Sequence, residues 1–115
     1  MIYLASPYAH PDPVVMQQRF HQVCQATAAL LRQGQVIYSP IAHNHYLACN
    51  FELPRTWDFW AGLDLPMLEL ADEIHVLMLD GWRDSRGVAA EITHAEELSK
   101  RVVYRAPETL CGKNN

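Results

Sequence analysis

The sequence predicts an α/β fold: a single Rossmann-like or flavodoxin-like domain with a parallel sheet of four or five strands flanked by helices. Short apolar runs alternate along the chain with longer amphipathic segments, as strands and helices do in that class. Parallel neighbours need a crossover between them, so this alternation favours a parallel sheet. The length of 115 residues, 50% of them hydrophobic, is enough for one domain with one core.

The first strand and the first helix have clear sequence signals. Ile2–Ala5 is apolar and is followed by Ser6-Pro7, which predicts a short buried strand. Asp12 followed by Pro13 is typical of a helix N-cap and first helical position. The apolar periodicity extends this helix to about Gln33.

The middle of the chain has weaker signals. Residues 36–38 predict a second strand, which ends at Ser39-Pro40. Between residues 41 and 54 the apolar pattern weakens, and we expect a loop with about one helical turn. Thr56 is a suitable cap for a helix over residues 57–71.

The last third of the chain contains the clearest apolar run, residues 73–79, which predicts a third strand. A helix over residues 88–99 and a fourth strand over residues 101–104 follow. We therefore expect an α/β domain over residues 1–106 and a C-terminal tail over residues 107–115.

The stretch from Ser85 to Glu91 is the most informative part of the chain. It joins the third strand to the next helix and contains Gly87, which permits close approach of a ligand to the backbone. A helix N-terminus binds anions and keeps a nearby carboxylate ionised, so Glu91, expected in the first turn, suits attack on the electrophilic carbon of a sugar. The structural alternative is that Glu91 complements the helix dipole and that Asp84-Ser85 is an ordinary N-cap.

Other polar and aromatic residues also follow predicted strands. Ligands of parallel sheets bind at the carboxyl ends of the strands, and Ser6, Pro7 and Tyr8 follow the first strand. Trp82 follows the third strand, and it is either a core side chain or a surface on which a flat base stacks. We expect these residues and Asp84 to lie at one edge of the sheet.

Asp64 and Tyr3 are candidates for catalytic support. Asp64 lies on an apolar segment, so it is either at the solvent edge or placed there for chemistry. Burial near a second acid would raise its pKa, which suits a general acid. Tyr3 is either a core aromatic or a phenol that orients Glu91, because the first strand usually neighbours the strand before the active loop.

His43 is a candidate polar residue of the ligand cleft. A metal site that uses His43 and His45 is the alternative, but no further cluster of ligands has metal spacing. The chain has neither a Gly-x-Gly-x-x-Gly motif nor a P-loop. The sequence therefore predicts no cofactor and no metal.

Charge, hydropathy and cysteine content exclude several classes of protein. The net charge of −4 argues against binding a nucleic-acid polymer, whereas a nucleoside or mononucleotide needs only one anion site. No apolar run approaches the roughly 20 residues of a membrane span, and the N-terminus lacks the charged region of a signal peptide. Cys24, Cys49 and Cys111 lack metal spacing and indicate reduced thiols in a cytoplasmic protein.

Three motifs together resemble the nucleoside 2-deoxyribosyltransferase superfamily, which includes the 2′-deoxynucleoside 5′-phosphate N-hydrolases. They are residues 2–7 (Ile-Tyr-Leu-Ala-Ser-Pro), Asp64 with Asp72 before a hydrophobic strand, and residues 84–91 (Asp-Ser-Arg-Gly-Val-Ala-Ala-Glu). The resemblance covers almost the whole chain, which looks similar to a short bacterial and phage branch of unknown function.

The resemblance implies catalytic roles for three residues. Glu91 matches the glutamate that attacks the anomeric carbon and forms a glycosyl-enzyme intermediate. Tyr3 matches the tyrosine that orients this glutamate, and Asp64 matches an aspartate that assists departure of the nucleobase.

The resemblance also implies a phosphate contact and an oligomer. Ser85 matches the serine that the phosphate hydrolases use on the nucleotide 5′-phosphate. Their arginine after the first strand is replaced here by Tyr8-Ala9-His10, which leaves Arg83 or Arg86 as a substitute. Members of the superfamily are usually dimers or higher oligomers, so a homodimer or a higher homo-oligomer is implied.

The sequence therefore predicts hydrolysis or transfer at the N-glycosidic bond of a (deoxy)nucleoside or nucleoside 5′-monophosphate, through Glu91. Such cleavage passes through an oxocarbenium-like state, which needs a negative charge beside the sugar and a proton donor at the leaving base. The first alternative is a nucleotide-binding or sensing module of the same fold without turnover. The second is a metal-assisted hydrolase that uses His43 and His45.

Overall fold

The computed structural model describes residues 1–111, in which four parallel strands form one sheet: β1 (Ile2–Ala5), β2 (Ile37–Tyr38), β3 (Glu73–Leu77) and β4 (Arg101–Arg105). The strands lie in the order β2-β1-β3-β4, and every neighbouring pair is parallel. The predicted α/β class with a parallel sheet flanked by helices is confirmed.

Four helices connect and cover the strands: α1 (Pro13–Arg32), α2 (Pro40–Asn50), α3 (Trp57–Leu70) and α4 (Arg86–Glu97). Asp12 caps α1 as predicted, because its side chain accepts a hydrogen bond from the backbone N–H of Val14 at 2.9 Å. Among the described residues, no helix combines the length and the apolar character that crossing a membrane requires.

The predicted loop over residues 41–54 is wrong in its first part, because α2 occupies Pro40–Asn50. The hydroxyl of Ser39 caps this helix by accepting a hydrogen bond from the N–H of Ala42 at 3.1 Å. A capping residue followed by proline is the same signal that begins α1, so the sequence did mark this helix. Its periodicity was weak because its buried face is narrow and includes one polar residue, Asn44.

Two hydrophobic clusters lie on opposite faces of the sheet, since alternate residues of β1 belong to different clusters. The first packs β1 and β3 against α3 and α4, through Tyr3, Ala5, Leu68, Ile74, Val76 and Val88. The second packs the same strands against α1, through Leu4, Val23, Ala26, Leu30 and Leu77. Leu110, from the predicted tail, is buried in the second cluster, and residues 112–115 of that tail lie outside the described residues.

Candidate active site

A cavity of about 500 Å³ opens at the carboxyl edge of the sheet, where the strand order changes direction between β1 and β3. Its walls come from α2, α3, α4 and the segments that follow β1 and precede α3 and α4. The volume lies within the range of small-molecule sites. Nine of the candidate site residues named in the sequence analysis line it: Ser6, Tyr8, His45, Asp64, Asp84, Ser85, Arg86, Gly87 and Glu91.

Glu91 is a buried carboxyl at the wall of this cavity, with 4% of its surface exposed. The Tyr3 hydroxyl donates a hydrogen bond to its Oε2, across 88 positions of sequence. Tyr3 is fully buried in β1 and lies behind Glu91 rather than among the lining residues. Burial and the neighbouring carboxylates raise the pKa of Tyr3 far above its usual range, so the phenol keeps its proton and remains a donor.

The electrostatic environment of Glu91 differs from the predicted one. Because α4 begins at Arg86, Glu91 lies in the second helical turn, where the influence of the helix N-terminus has faded. Burial raises the pKa of Glu91 to about 8; the Tyr3 hydrogen bond lowers it and the charge of Asp64 adds to the rise. The expectation of a carboxylate kept ionised by the helix N-terminus is therefore wrong, because the buried surroundings favour a protonated Glu91 at neutral pH.

Asp64 is a second buried carboxyl of the cavity, also 4% exposed. Asn44 Nδ2 donates to Asp64 Oδ1 at 3.1 Å. Burial raises the pKa of Asp64 to about 6, whereas the Asn44 hydrogen bond and the nearby His43 lower it. Between about pH 6 and pH 8, Asp64 and Glu91 thus hold about one proton between them.

The structure does not bring His43 to the cavity. Its Nδ1 lies 2.7 Å from Asn44 Oδ1, so it contacts Asp64 only through the Asn44 amide. His43 and His45 are two positions apart on α2, and such residues point to different sides of a helix. His45 is the one that lines the cavity.

The aromatic wall of the cavity is formed by Trp57 and Trp60 of α3, not by Trp82. The ring of Trp82 lies 5.5 Å from that of Tyr104, away from the cavity. Trp60 Nε1 donates to the carbonyl oxygen of Pro54 at 2.6 Å, which fixes the indole ring. Tertiary packing decides which side chains of α3 face the cavity, so the sequence alone does not identify Trp57 and Trp60 as its aromatic wall.

Gly87 makes room for this aromatic wall. A Cβ at position 87 would lie 3.3 Å from Trp57 Cε3, closer than an ordinary van der Waals contact. The glycine was predicted to let a ligand approach the backbone. The structure assigns the space beside it to the indole ring of Trp57.

The chain matches one family over nearly its whole length: the family described as Domain of unknown function (DUF1937) covers residues 1–106. The chain belongs to this family. A comparison with curated proteins gives no match. The matched residues include all four strands, so the whole cavity lies within the DUF1937 domain.

The DUF1937 domain also places a serine and an arginine at the cavity. Ser85 caps α4 by accepting a backbone N–H at 3.2 Å, which leaves its own hydroxyl hydrogen free for a ligand. Arg86 is paired with Asp58 at 2.9 Å, and Arg83 does not line the cavity. Arg55 does line it and makes no ion pair with another residue in the range 1–111.

The segment after β1 in this DUF1937 domain contributes two of its three predicted residues. Ser6 and Tyr8 line the cavity, whereas Pro7 between them is buried and is not part of the lining. The Ser6 hydroxyl is buried and has no hydrogen-bond partner within the described part of the chain. In the same range, no three His, Cys, Asp or Glu residues are grouped to hold a metal ion.

Proposed function

We propose that this DUF1937 chain hydrolyses or transfers the N-glycosidic bond of a (deoxy)nucleoside or nucleoside 5′-monophosphate. The observation that carries the proposal is the hydrogen bond from Tyr3 to Glu91 at the wall of a cavity that also contains Asp64. Buried acids with raised pKa values are concentrated at catalytic sites. The cavity also has an aromatic wall against which a nucleobase fits.

In the proposed reaction, Glu91 is the nucleophile. Its ionised carboxylate attacks C1′ of the sugar while the C1′–N bond breaks, and a glycosyl-enzyme ester forms. The electron pair of the broken bond leaves with the base, which takes a proton from Asp64. Water then attacks C1′, gives its proton to Asp64 and releases Glu91; a second base in place of water makes the reaction a transfer.

The proposed chemistry requires the shared proton on Asp64 and the negative charge on Glu91. The protein alone favours the opposite arrangement, because the pKa of Glu91 is the higher of the two. Positive charge that develops on the sugar stabilises an ionised Glu91, and the Tyr3 hydroxyl donates to that form. The reaction therefore proceeds from the less populated arrangement, in which the proton has moved from Glu91 to Asp64, and the charge that develops on the sugar as the C1′–N bond breaks stabilises this arrangement.

The other lining residues suit the two ends of a nucleotide. Trp57 and Trp60 offer aromatic surface to the base. At a 5′-phosphate, the Ser85 hydroxyl would donate a hydrogen bond and Arg55 would supply the positive charge. Arg55 thus takes the role for which the sequence had offered Arg83 or Arg86.

Release of free base tests the proposed activity. The purified chain is incubated with the four deoxynucleosides, the four ribonucleosides and their 5′-monophosphates, and free base is separated by chromatography. We expect base release from at least one of these substrates, faster with the 5′-monophosphate than with the nucleoside. Tight binding without any base release would instead favour the sensing module, and activity lost to a chelator would favour a metal-assisted hydrolase.

We also propose that the chain is a homo-oligomer that associates through α3. Phe59, Leu63, Pro66 and Leu70 follow one another at spacings of four, three and four residues on the exposed side of this helix, and Leu70 is 73% exposed. An exposed apolar stripe with this spacing is typical of helix–helix contacts.

The cytoplasm is the proposed location of the chain, because it is a reducing compartment that keeps Cys24, Cys49 and Cys111 as free thiols.

Charge introduced on this stripe tests the proposed oligomer. We expect wild-type protein to sediment as a dimer or larger, and the double variant Leu63→Glu/Leu70→Glu to sediment as a monomer, because two carboxylates cannot be buried unpaired at the contact. Leu31→Glu, at a 56% exposed position on α1, is the matched control and should leave the oligomer intact. A monomeric wild-type protein at tens of micromolar would contradict the proposal.

A further inference from the structure

We infer that Tyr8 is a specificity-determining residue whose hydroxyl oxygen is held as a hydrogen-bond acceptor for an O–H or N–H group of the ligand. His45 and Gln17 are positioning residues that hold it in this state. The inference rests on the proposed function only for the identity of the ligand. The state of Tyr8 follows from the hydrogen bonds of the protein itself.

A short chain of hydrogen bonds determines which atom carries each hydrogen. The Tyr8 hydroxyl lies 2.6 Å from His45 Nδ1, and His45 Nε2 lies 3.2 Å from Gln17 Oε1. The amide oxygen of Gln17 only accepts, so with the amide in this orientation Nε2 carries the ring hydrogen. Cys49 Sγ lies 3.7 Å from both ring nitrogens and does not distinguish them. A neutral imidazole has one N–H, which leaves Nδ1 as an acceptor, and the Tyr8 hydroxyl must donate to it.

The surroundings of His45 keep its ring neutral. The ring stacks on Phe20, with centroids 4.0 Å apart and 20° between the planes. Burial and the positive charge of Arg55 lower the pKa of His45. Tyr8 keeps its hydrogen as well, because burial and the neighbouring Cys49 raise its pKa to about 12.

The Tyr8 hydroxyl oxygen can therefore only accept a hydrogen bond from a ligand in the cavity. The one hydrogen of Tyr8 is used by His45, so its free lone pairs can only accept. Ser6 also lines the cavity. Only 6% of this residue is exposed, and its hydroxyl has no hydrogen-bond partner among residues 1–111. Buried polar groups are normally hydrogen-bonded, so an unpaired hydroxyl in the lining of the same cavity points to a ligand that supplies the missing partner.

The chemistry that Tyr8 recognises is a neutral hydrogen-bond donor. In a nucleoside this donor is either a sugar hydroxyl or the exocyclic amine of the base. A site that pairs with a donor discriminates against an analogue that lacks it, because the half-buried Tyr8 oxygen then loses its partner.

Two variants test the inference. Tyr8→Phe removes the acceptor, and we expect KM or the dissociation constant to rise about tenfold while kcat changes less than about threefold. Gln17→Glu changes an exposed residue that does not line the cavity. The new carboxylate favours the form of His45 that carries hydrogens on both nitrogens. The Tyr8 hydroxyl must then accept a hydrogen bond from Nδ1. The affinity for a ligand that donates to Tyr8 should therefore fall by a similar factor.

Analogues identify the source of the donor. A purine deoxyriboside without the exocyclic amine and a 3′-deoxynucleoside are compared with deoxyadenosine in wild type and Tyr8→Phe. Wild type should bind deoxyadenosine more tightly than Tyr8→Phe does. This difference in affinity should disappear for the analogue that lacks the recognised group and persist for the other analogue. Equal affinities of wild type and Tyr8→Phe for all these ligands would overturn the inference.

The tautomer of His45 is measured separately, by ¹⁵N NMR of the imidazole in the free protein. We expect hydrogen on Nε2 in wild type and on both nitrogens in Gln17→Glu near pH 6. Hydrogen on Nδ1 in wild type would overturn the inference, whether or not any nucleoside is cleaved. A correct tautomer with no release of base would refute the proposed function alone.

Discussion

Glu91→Gln is expected to lower the rate of base release at least about 10³-fold while ligand affinity stays within about threefold of wild type. The amide keeps the size of the side chain and an oxygen that accepts from Tyr3, but it cannot form the glycosyl ester. The measurement is release of free base under single-turnover conditions, together with calorimetric binding of the same substrate.

Two further substitutions show whether this loss is specific. Glu96→Gln changes an exposed carboxyl on the same helix and should leave base release unchanged. Asp64→Asn removes the proposed acid, so its loss should be large for ordinary nucleosides and small for a substrate whose base leaves without protonation. Base release by Glu91→Gln at a rate near that of wild type would remove Glu91 from the mechanism.

The architecture around this site could be predicted because it depends on local patterns. Apolar runs alternate with amphipathic segments, so the parallel sheet and its carboxyl edge followed directly. The motif around Ser85 and Glu91 placed a carboxyl after β3, and Tyr3 in β1 was expected to neighbour it. The structure shows that neighbour as a hydrogen bond.

The electrostatics of the site could not be predicted from the same patterns. The pKa of Glu91 depends on burial by side chains from several elements, and no motif encodes that burial. The helix start at Arg86 moved Glu91 only two positions along the helix, but this removed it from the first turn. The boundary error removed one influence that favours the carboxylate, but burial is what reversed the expected protonation state.

Which of the candidate histidines and tryptophans reach the cavity depends on rotation about helix axes. His45 rather than His43 reaches the cavity, because α2 is a helix where a loop was expected. In the same way, α3 presents Trp57 and Trp60, whereas Trp82 packs beside Tyr104. Such choices are made by tertiary packing, which weak periodicity does not specify.

The free energy of unfolding is expected to fall between about pH 5 and pH 8, because the folded protein holds the proton of Glu91 more tightly than the unfolded chain does. Folding raises the pKa of this carboxyl from 4.5 to about 8. Its contribution is therefore fully present below pH 4.5 and is lost as the pH rises through about 8. At about 1.4 kcal/mol per pKa unit, the part of this contribution that is lost between pH 5 and pH 8 is on the order of 3 to 4 kcal/mol. Urea denaturation at pH 5 and pH 8, at constant ionic strength, measures it.

Glu91→Gln should remove most of this pH dependence, because its amide does not ionise. The variant should unfold with about the same free energy as wild type at pH 5, and it should be the more stable protein at pH 8. Asp64, whose pKa is raised from 3.8 to about 6, should cause a smaller fall in the free energy of unfolding at lower pH in both proteins. The control variant Glu96→Gln should show the same pH dependence of stability as wild type. Equal slopes in wild type and Glu91→Gln would mean that residue 91 is already ionised in the folded protein. The expected result, a gain in stability together with a loss of activity, arises because a carboxyl buried for chemistry destabilises the fold once it ionises.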